Sequence, residues 1–535
     1  MADGSRSSSA VMEKNSNPFW LQWIIPSVAD LIFVGVLCAL LFTPLSVKLL
    51  GDAGIGWHIR TGQQILHTHS IPRVDSFSSV MQGKPWLAWE WLYDVLIGFL
   101  DSIWGLNGPV WFTAILIAAV FAWMFRLVVR RGADLFAALV FFLLAISAST
   151  IHFLVRPHVL SWLFTLIWFW ILDSTEQDSF GGRDLHRRKL WFLPVLMLLW
   201  VNVHGSFLLG FALLVIYWLG AVWTWWRTNE QRIEESLQKI AARKRIRELT
   251  LIGIVSAFVS LLNPYGWKLH EHVYAYLSNR FLMDHIDEFQ SPNFHGVAQR
   301  CFLLLLLSVV GVLVVRGRDL CLSQALTILL VVYVGLYASR NIPVASILLT
   351  MIASPLFPGI SGFCGFAGRM AKVESELRGH LWPLIAVFVT GVLVANKGWV
   401  GSNQLVNAHF DPNRMPAGAV LFVRDRDAKC PILSPDYWGG YLIYQLYPHN
   451  SVVIDDRHDL YGERFLRSYL TMMHVEPGWE NFPRAYGDCI LLPKKSALAA
   501  ILAKTAEWQS VYSDDVAIVF LPTEKRADSD RTLNR

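Results

Sequence analysis

The chain has 535 residues, of which 54% are apolar and only 16% are charged, and its mean hydropathy is +0.41. Soluble domains carry about 25% charged residues, so this composition excludes an ordinary soluble enzyme. The 24 tryptophans are typical of a chain that crosses membrane interfaces. The net charge of +5 comes from short basic clusters between apolar runs, a pattern of membrane topology and not of nucleic-acid binding. We therefore expect a polytopic membrane protein.

A polar tail over residues 1–27 comes first, and no small-residue cleavage site follows the first apolar run, which indicates an uncleaved first span. The region 28–396 then contains eleven apolar segments that are long enough, or nearly so, to cross a bilayer. Several are shorter than about 20 residues and therefore begin earlier in polar sequence or form broken or tilted helices. The segments are 28–47, 109–129, 134–150, 158–173, 190–203, 206–226, 249–263, 300–315, 322–338, 341–358 and 380–396.

The sequence leaves open whether the segment 88–105 crosses the membrane. It is short, and Glu90, Asp94 and Asp101 interrupt it, which indicates an amphipathic helix on the membrane interface. If it lies flat, most lysines and arginines of the loops fall on the side of the N-terminus, and the positive-inside rule assigns that side to the cytoplasm. A crossing would move every later loop to the other side. We therefore predict about eleven spans in the inner (plasma) membrane, with a cytoplasmic N-terminus.

In this topology the first external loop covers residues 48–108 and contains three candidate catalytic residues, Asp52, His58 and Glu90. Acidic residues at membrane depth are costly unless they are paired or functional. Asp52 and His58 are six positions apart, so a turn at the glycines between them is needed to bring them together. The alternative is that Asp52 caps a helix beginning near Gly54, while the tryptophans of the loop anchor the interface.

Arginines and histidines also gather at the outer ends of the spans. Arg156 and Arg340 suit a phosphate or pyrophosphate because a guanidinium offers two parallel donors, although arginines that snorkel and close loops are an equal alternative. We include Arg60, His158 and His204 as further candidates for binding a lipid phosphate. No metal ligand is assigned, because the histidines lack any tight ligand spacing, but a divalent cation stays open as a cofactor.

The composition becomes that of a soluble domain over residues 397–535. Helices are expected at 416–424, 441–446, 462–473 and 496–505, and strands at 431–433, 452–454, 489–492, 508–512 and 516–521. This alternation predicts an extracytoplasmic α/β domain whose sheet is mostly parallel with an antiparallel edge. Ligands lie beyond the carboxyl ends of such strands, which points to an acceptor side formed by Asp436, Tyr437, Trp438, Asp455 and Arg457. Cys430 and Cys489 are either a disulfide or two buried thiols.

Two motifs resemble the GT-C superfamily of integral-membrane glycosyltransferases. The first loop contains Asp52, Trp57-His58-Ile59-Arg60-Thr61-Gly62, Ile71-Pro72, Asp75 and Trp89-Glu90-Trp91-Leu92, similar to uncharacterised bacterial members. The segment Ser434-Pro435-Asp436-Tyr437-Trp438-Gly439-Gly440 is similar in part to the WWDYG segment of oligosaccharyltransferases, which helps to hold the acceptor. Because the match is partial, the resemblance implies transfer of a single sugar from a polyisoprenyl-phosphate carrier.

The resemblance also implies roles for the candidate residues. Asp52 is expected to be the general base, Glu90 or His58 to orient it or the acceptor, and arginine to neutralise the leaving phosphate. The expected partners are the polyisoprenyl-phosphate-linked sugar, membrane lipid and a glycan, lipid or protein acceptor. A lipid or polysaccharide transporter or flippase, and a non-catalytic subunit of an envelope-polymer assembly, are the alternatives. The sequence contains no P-loop, GxSxG or CxxC, so ATP-driven transport and serine-hydrolase chemistry lose support.

Overall fold

The computed structural model of the chain describes residues 21–180, 184–229, 232–357, 364–377, 380–426 and 429–523. Most of the predicted polar tail and the last twelve residues therefore lie outside the described residues. Within these ranges the chain is almost entirely helical up to Ala395, and helices alternate with strands after it. This division agrees with the change in composition at about residue 397.

Six helices of the described chain are long and apolar enough to cross a membrane, and a bent pair at 365–395 would be a seventh span. Most of the remaining predicted segments are shorter helices, such as Phe192–Val201 and Ile342–Ala353, whereas the segment 249–263 is the second half of the 28-residue helix Ile233–Ser260. The six helices run over Gln22–Phe42, Asn107–Arg130, Leu135–His152, His158–Gln177, Gly205–Arg227 and Val297–Asp319. Further helices of this region are Leu45–Leu49, Ile233–Ser260, Trp267–Ser278, Arg280–His285, Leu322–Tyr337, Cys364–Glu376 and Leu381–Ala395.

The first loop contains two amphipathic helices, Ile55–Thr68 and Trp91–Trp104, which pack against each other. Trp91–Trp104 is the segment that Glu90, Asp94 and Asp101 interrupt. Its polar face is buried within the protein, whereas Phe99 and Ile103 are exposed on the opposite face. The buried polar face packs against protein, and the exposed apolar face is available to the membrane interface. This arrangement suits a helix that lies flat on the membrane.

The C-terminal region forms a four-stranded sheet in the order Ile432–Leu433, Cys489–Pro493, Ala517–Pro522, Trp508–Ser513. The first pair is parallel and the other two pairs are antiparallel, so the prediction of a mostly parallel sheet was wrong. The predicted strand at 452–454 is reduced to isolated bridges, from Val452 to Ile432 and to Ser78 of the first loop. Cys430 and Cys489 are not joined by a disulfide bond. The helices are Ala417–Asp425, Asp436–Leu446, His458–Tyr461, Glu463–Met473, Asn481–Tyr486 and Ala497–Leu502, and a small hairpin joins Trp399–Val400 to Asn403–Gln404.

The C-terminal region and the membrane helices share one hydrophobic core. Trp438, Tyr441 and Leu442 of helix Asp436–Leu446 belong to the same buried cluster as the membrane helices and the first loop. A second cluster joins the sheet to Phe281 and Leu282 of the loop near residue 280. The first loop and the segment near residue 280 are therefore fixed to the C-terminal region by apolar burial, and polar side chains between them are held at a defined geometry.

Candidate active site

The first loop begins with the turn that brings its polar residues together. The backbone N–H of Gly54 donates to Asp52 at 2.9 Å, and the helix Ile55–Thr68 starts directly after it. Gly56 of this helix lies against the backbone of Gly440, where helix Asp436–Leu446 crosses it. A side chain at either glycine would collide with backbone, so the crossing requires glycine. The sequence motifs of the first loop and of the C-terminal region therefore meet at this crossing.

Arg156 lies at the centre of the polar cluster. Its Nε donates to Asp52 at 2.7 Å and its Nη2 donates to Asp456 at 2.8 Å. Its Nη1 lies 3.2 Å from Nε2 of His58. The guanidinium thus connects the two residues that the sequence analysis expected to meet, Asp52 and His58. Asp456, which lies between two predicted acceptor-side residues, belongs to the same cluster.

His58 is fully buried, and its hydrogen bonds define its tautomer. Because Arg156 can only donate, Nε2 of His58 accepts from it, and Nδ1 therefore carries the proton and donates to Asp94 at 2.6 Å. Burial, together with the charge of Arg156, lowers the pKa of His58 well below its usual value, so the ring is neutral. From the sequence, Asp94 was treated only as a charge that interrupts an apolar segment. Its role as the partner of His58 was missed, although a carboxyl group within a mostly apolar helix is a signal for a buried polar contact.

A cavity of about 110 Å³ lies beside this cluster and has room for a few water molecules. Glu90 lines it, with its carboxylate 3.8 Å from Nε2 of His58 and 3.7 Å from Nε2 of His204. Burial raises the pKa of Glu90 to about 8, because a carboxylate is poorly solvated here. The other lining residues are Asp52, Trp57, Trp86, Trp89, Leu154, Arg156, Pro157, His158, His204, Tyr276, Glu288, Arg340, Asp456, Arg457 and Asp459.

Arg340 contributes a second cation to the cavity wall. Its Nη1 lies 3.9 Å from Glu288, beyond hydrogen-bonding distance, and its guanidinium lies over the ring of Phe289 at 4.6 Å. Both predicted histidines beside it have structural contacts. Nε2 of His158 lies 2.9 Å from the carbonyl of His152, and Nδ1 of His204 accepts from the backbone N–H of Ser206 at 3.2 Å. Of the two arginines on the cavity wall that were predicted to bind phosphate, Arg340 has fewer hydrogen bonds in the described structure than Arg156.

The predicted acceptor-side residues lie in different environments. Asp455 and Arg457 form a buried bidentate pair at 2.7 and 2.9 Å, and Nη1 of Arg457 also lies 2.8 Å from Asp75. The guanidinium of Arg457 lies 4.7 Å from the centre of the Trp86 ring, which joins the C-terminal region to the first loop. Arg457 lines the cavity, whereas Asp455 is completely buried behind it.

The remaining residues of that group are on helix Asp436–Leu446. Asp436 accepts from His458 at 2.7 Å and from Tyr469 at 3.0 Å. Although burial opposes the shift, these hydrogen bonds lower the pKa of Asp436. Trp438 is buried and donates to the carbonyl of Arg414, while Tyr437 is 54% exposed. Tyr437 is therefore the member of this group that a large acceptor can reach from outside.

Arg60 is the predicted site residue that lies away from the cavity. Its guanidinium donates to the carbonyl of Tyr444 through Nε, at 3.0 Å, and through Nη2, and to Gln63 at 3.1 Å. It thereby caps the end of helix Asp436–Leu446 and fixes that helix to Ile55–Thr68. Among the residues that line the cavity, Arg60 does not occur.

The residues of the cavity do not fit a divalent cation between their closest carboxylates. Mg²⁺ and Ca²⁺ need oxygen ligands around them, but the space between Asp52 and Asp456 is taken by Arg156. Within the part of the chain that the structure describes, no group of three His, Cys, Asp or Glu side chains is arranged to hold a metal ion.

The fold is similar to that of two solved structures. No protein-family model and no curated protein sequence matches this chain. It resembles the archaeal oligosaccharyltransferase AglB from Archaeoglobus fulgidus in complex with an inhibitory peptide and a dolichol-phosphate, at a TM-score of 0.55 and 9% identity. It also resembles the Archaeoglobus fulgidus oligosaccharyltransferase tethered with an acceptor peptide containing the NVT sequon via a disulfide bond, at a TM-score of 0.53 and 10% identity. Each match covers 93% of this chain and 74% of the other.

The predicted fold class is confirmed by this similarity. The chain is a polytopic helical membrane protein with a C-terminal α/β region, and its fold is similar to that of the archaeal oligosaccharyltransferase AglB. At 9–10% identity the similarity concerns the fold alone. The side of the membrane on which the α/β region lies stays a prediction, as do the roles of the individual site residues.

Proposed function

We propose that this protein is a glycosyltransferase that moves a sugar from a polyisoprenyl-phosphate carrier to an acceptor at the outer face of the membrane. The main support is the cavity, which combines a buried carboxyl group, Glu90, with a cation that has few partners, Arg340. It lies where the outer ends of the spans meet the first loop and the C-terminal region. A lipid-linked donor can enter such a position from the bilayer while a polar acceptor enters from the aqueous side.

Arg340 is the proposed phosphate-binding residue. Its ion pair with Glu288 is long, so a phosphate can compete for the guanidinium and accept two parallel hydrogen bonds from it. Arg156 assists, because its contacts to Asp52, Asp456 and His58 use three of its five N–H groups. Positive charge at this place stabilises the phosphate as it leaves with the electron pair of the broken glycosidic bond.

Glu90 is the proposed general base. The acceptor hydroxyl oxygen attacks the anomeric carbon, the bond from that carbon to the phosphate oxygen breaks, and the hydroxyl proton passes to Glu90. A single displacement of this kind inverts the anomeric carbon. Glu90 suits the role because its carboxyl lines the cavity, its ion-pair contacts in the described structure are to histidines, and burial raises its pKa to about 8. Neutral His58 and His204 lie on either side of it, with ring nitrogens 3.8 and 3.7 Å from its carboxylate.

Asp52, the base expected from the sequence, has different surroundings. Both of its oxygens accept hydrogen bonds, one from Gly54 and one from Arg156. Because both oxygens already accept from N–H groups of the protein, Asp52 is held in place as a partner of Arg156. We therefore propose that Asp52 positions Arg156 and that Glu90 takes the proton.

The decisive test is turnover by the purified full-length protein with labelled polyprenyl-phosphate sugars. Release of polyprenyl phosphate is expected from the wild type and its loss in Glu90→Gln, while exposed Glu463→Gln is the matched control. Asp52→Asn should keep part of the activity if its role is positioning. Complete loss in Asp52→Asn together with full activity in Glu90→Gln would return the base role to Asp52. Uptake of the lipid without turnover would favour a transporter, and neither uptake nor turnover a non-catalytic subunit.

A further inference from the structure

The contacts of Asp52 and Asp456 are complete without a metal ion. Asp52 Oδ1 accepts from the backbone N–H of Gly54 and its Oδ2 from Arg156. Asp456 Oδ1 accepts from Nε1 of Trp57 at 3.0 Å and its Oδ2 from Arg156. All four carboxylate oxygens therefore face N–H donors, and the two carboxylates share a single guanidinium.

We propose that Arg156 is a resident cation that takes the place of a divalent metal ion between Asp52 and Asp456. Two carboxylates converging on one point at a cavity normally require a cation between them, because like charges repel strongly where water is scarce. A metal ion would have to displace the guanidinium and would then lie beside a positive charge. A guanidinium cannot lose its proton in a protein, so this cation is present at every working pH.

Arg156 also joins three distant parts of the chain. Asp52 follows the first span, Arg156 precedes helix His158–Phe180, and Asp456 belongs to the C-terminal region. A metal ion in the same place would assemble these segments only when it was bound. The guanidinium does so permanently, which keeps the cavity formed and leaves N–H groups for the phosphate of the donor. This assignment of the phosphate rests on the proposed function, whereas the replacement of the metal ion does not.

The test is binding of Mn²⁺ to the purified full-length protein, measured by electron paramagnetic resonance. The wild type is expected to bind no Mn²⁺ that depends on Asp52. Arg156→Ala leaves the two carboxylates without their shared cation and is expected to gain one Mn²⁺ per chain. The matched control is Arg156→Ala combined with Asp456→Asn, which should lose that gain. Because no turnover is measured, failure of the proposed glycosyl transfer would not affect the result.

Two outcomes would overturn the proposal. If the wild type binds one Mn²⁺ and Asp52→Asn abolishes this binding, the site holds a metal ion and Arg156 is displaced from it. If Arg156→Ala does not fold, the wild-type titration, with Asp52→Asn as its reference, decides alone. An Arg156→Ala protein that folds but binds no Mn²⁺ also contradicts the proposal, because the two carboxylates would then not converge on a cation position.

Discussion

At the scale of single residues, the buried ionisable side chains are of two kinds: those with a partner of opposite charge and those without one. Arg457 is 3% exposed and has its charge balanced by Asp455 and Asp75, so its role is to hold segments together. Glu90 is also buried, but its ion-pair contacts in the described structure are to histidines, at 3.7 and 3.8 Å. A buried carboxyl group that is not paired with a lysine or arginine is costly for stability, and such groups cluster at functional sites.

The pKa of Glu90, raised by burial to about 8, makes turnover depend on pH. A general base acts only when ionised, so turnover should rise about tenfold per pH unit below pH 8 and level off above it. Measuring the release of polyprenyl phosphate from about pH 6 to pH 9 tests this. A wild-type profile that stays flat through this range would remove Glu90 from the base role.

The raised pKa of Glu90 also makes the stability of the folded protein depend on pH. The pKa of Glu90 in the folded protein lies above its value in the unfolded chain, so the native state binds the proton more tightly. The stability from protonated Glu90 is fully present below the unfolded pKa and is lost as pH rises through about 8. Glu90→Gln stays neutral and should unfold with a smaller dependence on pH over this interval, as measured by thermal unfolding. An unchanged dependence would show that another group is responsible.

Arg457 should matter for stability far more than an exposed arginine of the same region. Arg457→Met leaves Asp455 and Asp75 buried without their cation, and breaking a buried pair in this way costs about 3–5 kcal/mol. Arg484 pairs with Glu507 at the surface, so Arg484→Met should cost no more than about 1 kcal/mol. Denaturant or thermal unfolding of the two variants measures the difference. Equal losses would contradict the structural role of Arg457.

At the scale of elements, the site depends on the crossing of helices Ile55–Thr68 and Asp436–Leu446. Gly56 and Gly440 allow their backbones to touch, and Arg60 donates to the carbonyl of Tyr444 at the end of the second helix. The crossing brings Trp57 and His58 of one helix next to the C-terminal segment that contains Asp456. A small increase in the distance between these helices would therefore separate the residues that surround Arg156.

Gly440→Ala tests this crossing. A Cβ atom at residue 440 would collide with the carbonyl of Ala53, so the helices must move apart, and overpacking of this kind costs about 1–3 kcal/mol. We expect lower stability and a large loss of turnover. The matched control is Gly35→Ala, where a Cβ atom has open space and alanine favours the helix by up to about 1 kcal/mol. Unchanged turnover in Gly440→Ala would contradict the close crossing.

At the scale of the whole molecule, the features that follow from local composition, namely the apolar helices and the α/β region, can be predicted from the amino-acid sequence. Apolar runs gave the helices of the membrane region, and the change at about residue 397 gave the start of the α/β region. The antiparallel edge of the sheet was predicted, but the antiparallel pairing of Cys489–Pro493 with Ala517–Pro522 was missed, because strands of two to six residues carry little information on direction. The contacts of Asp94, Asp456 and Asp75 were also missed. Each contact joins positions far apart in the chain, and no local pattern encodes such a pairing.

The structure also constrains which segments cross the membrane. Asp52 and Arg156 are bonded at 2.7 Å and therefore lie on one side. Between them, the helices Asn107–Arg130 and Leu135–His152 are long and apolar enough to cross and return. If both cross, a third crossing by Trp91–Trp104 would place the two residues on opposite sides, so this contact favours the flat arrangement of that helix. Which side the cavity faces then depends on the distribution of basic residues in the loops, which favours the outer face.

This orientation can be tested with cysteines introduced at exposed positions. In a background without the native cysteines, Tyr437→Cys belongs to the proposed acceptor side, and Leu237→Cys lies in the basic loop, the lysine- and arginine-rich stretch 227–247 between two predicted spans, with 54% and 61% exposure. A membrane-impermeant maleimide added to intact cells should label the first and not the second, because the positive-inside rule assigns the basic loop to the cytoplasm. Both should react after the membrane is permeabilised. The reverse pattern in intact cells would place the cavity in the cytoplasm and would contradict transfer at the outer face.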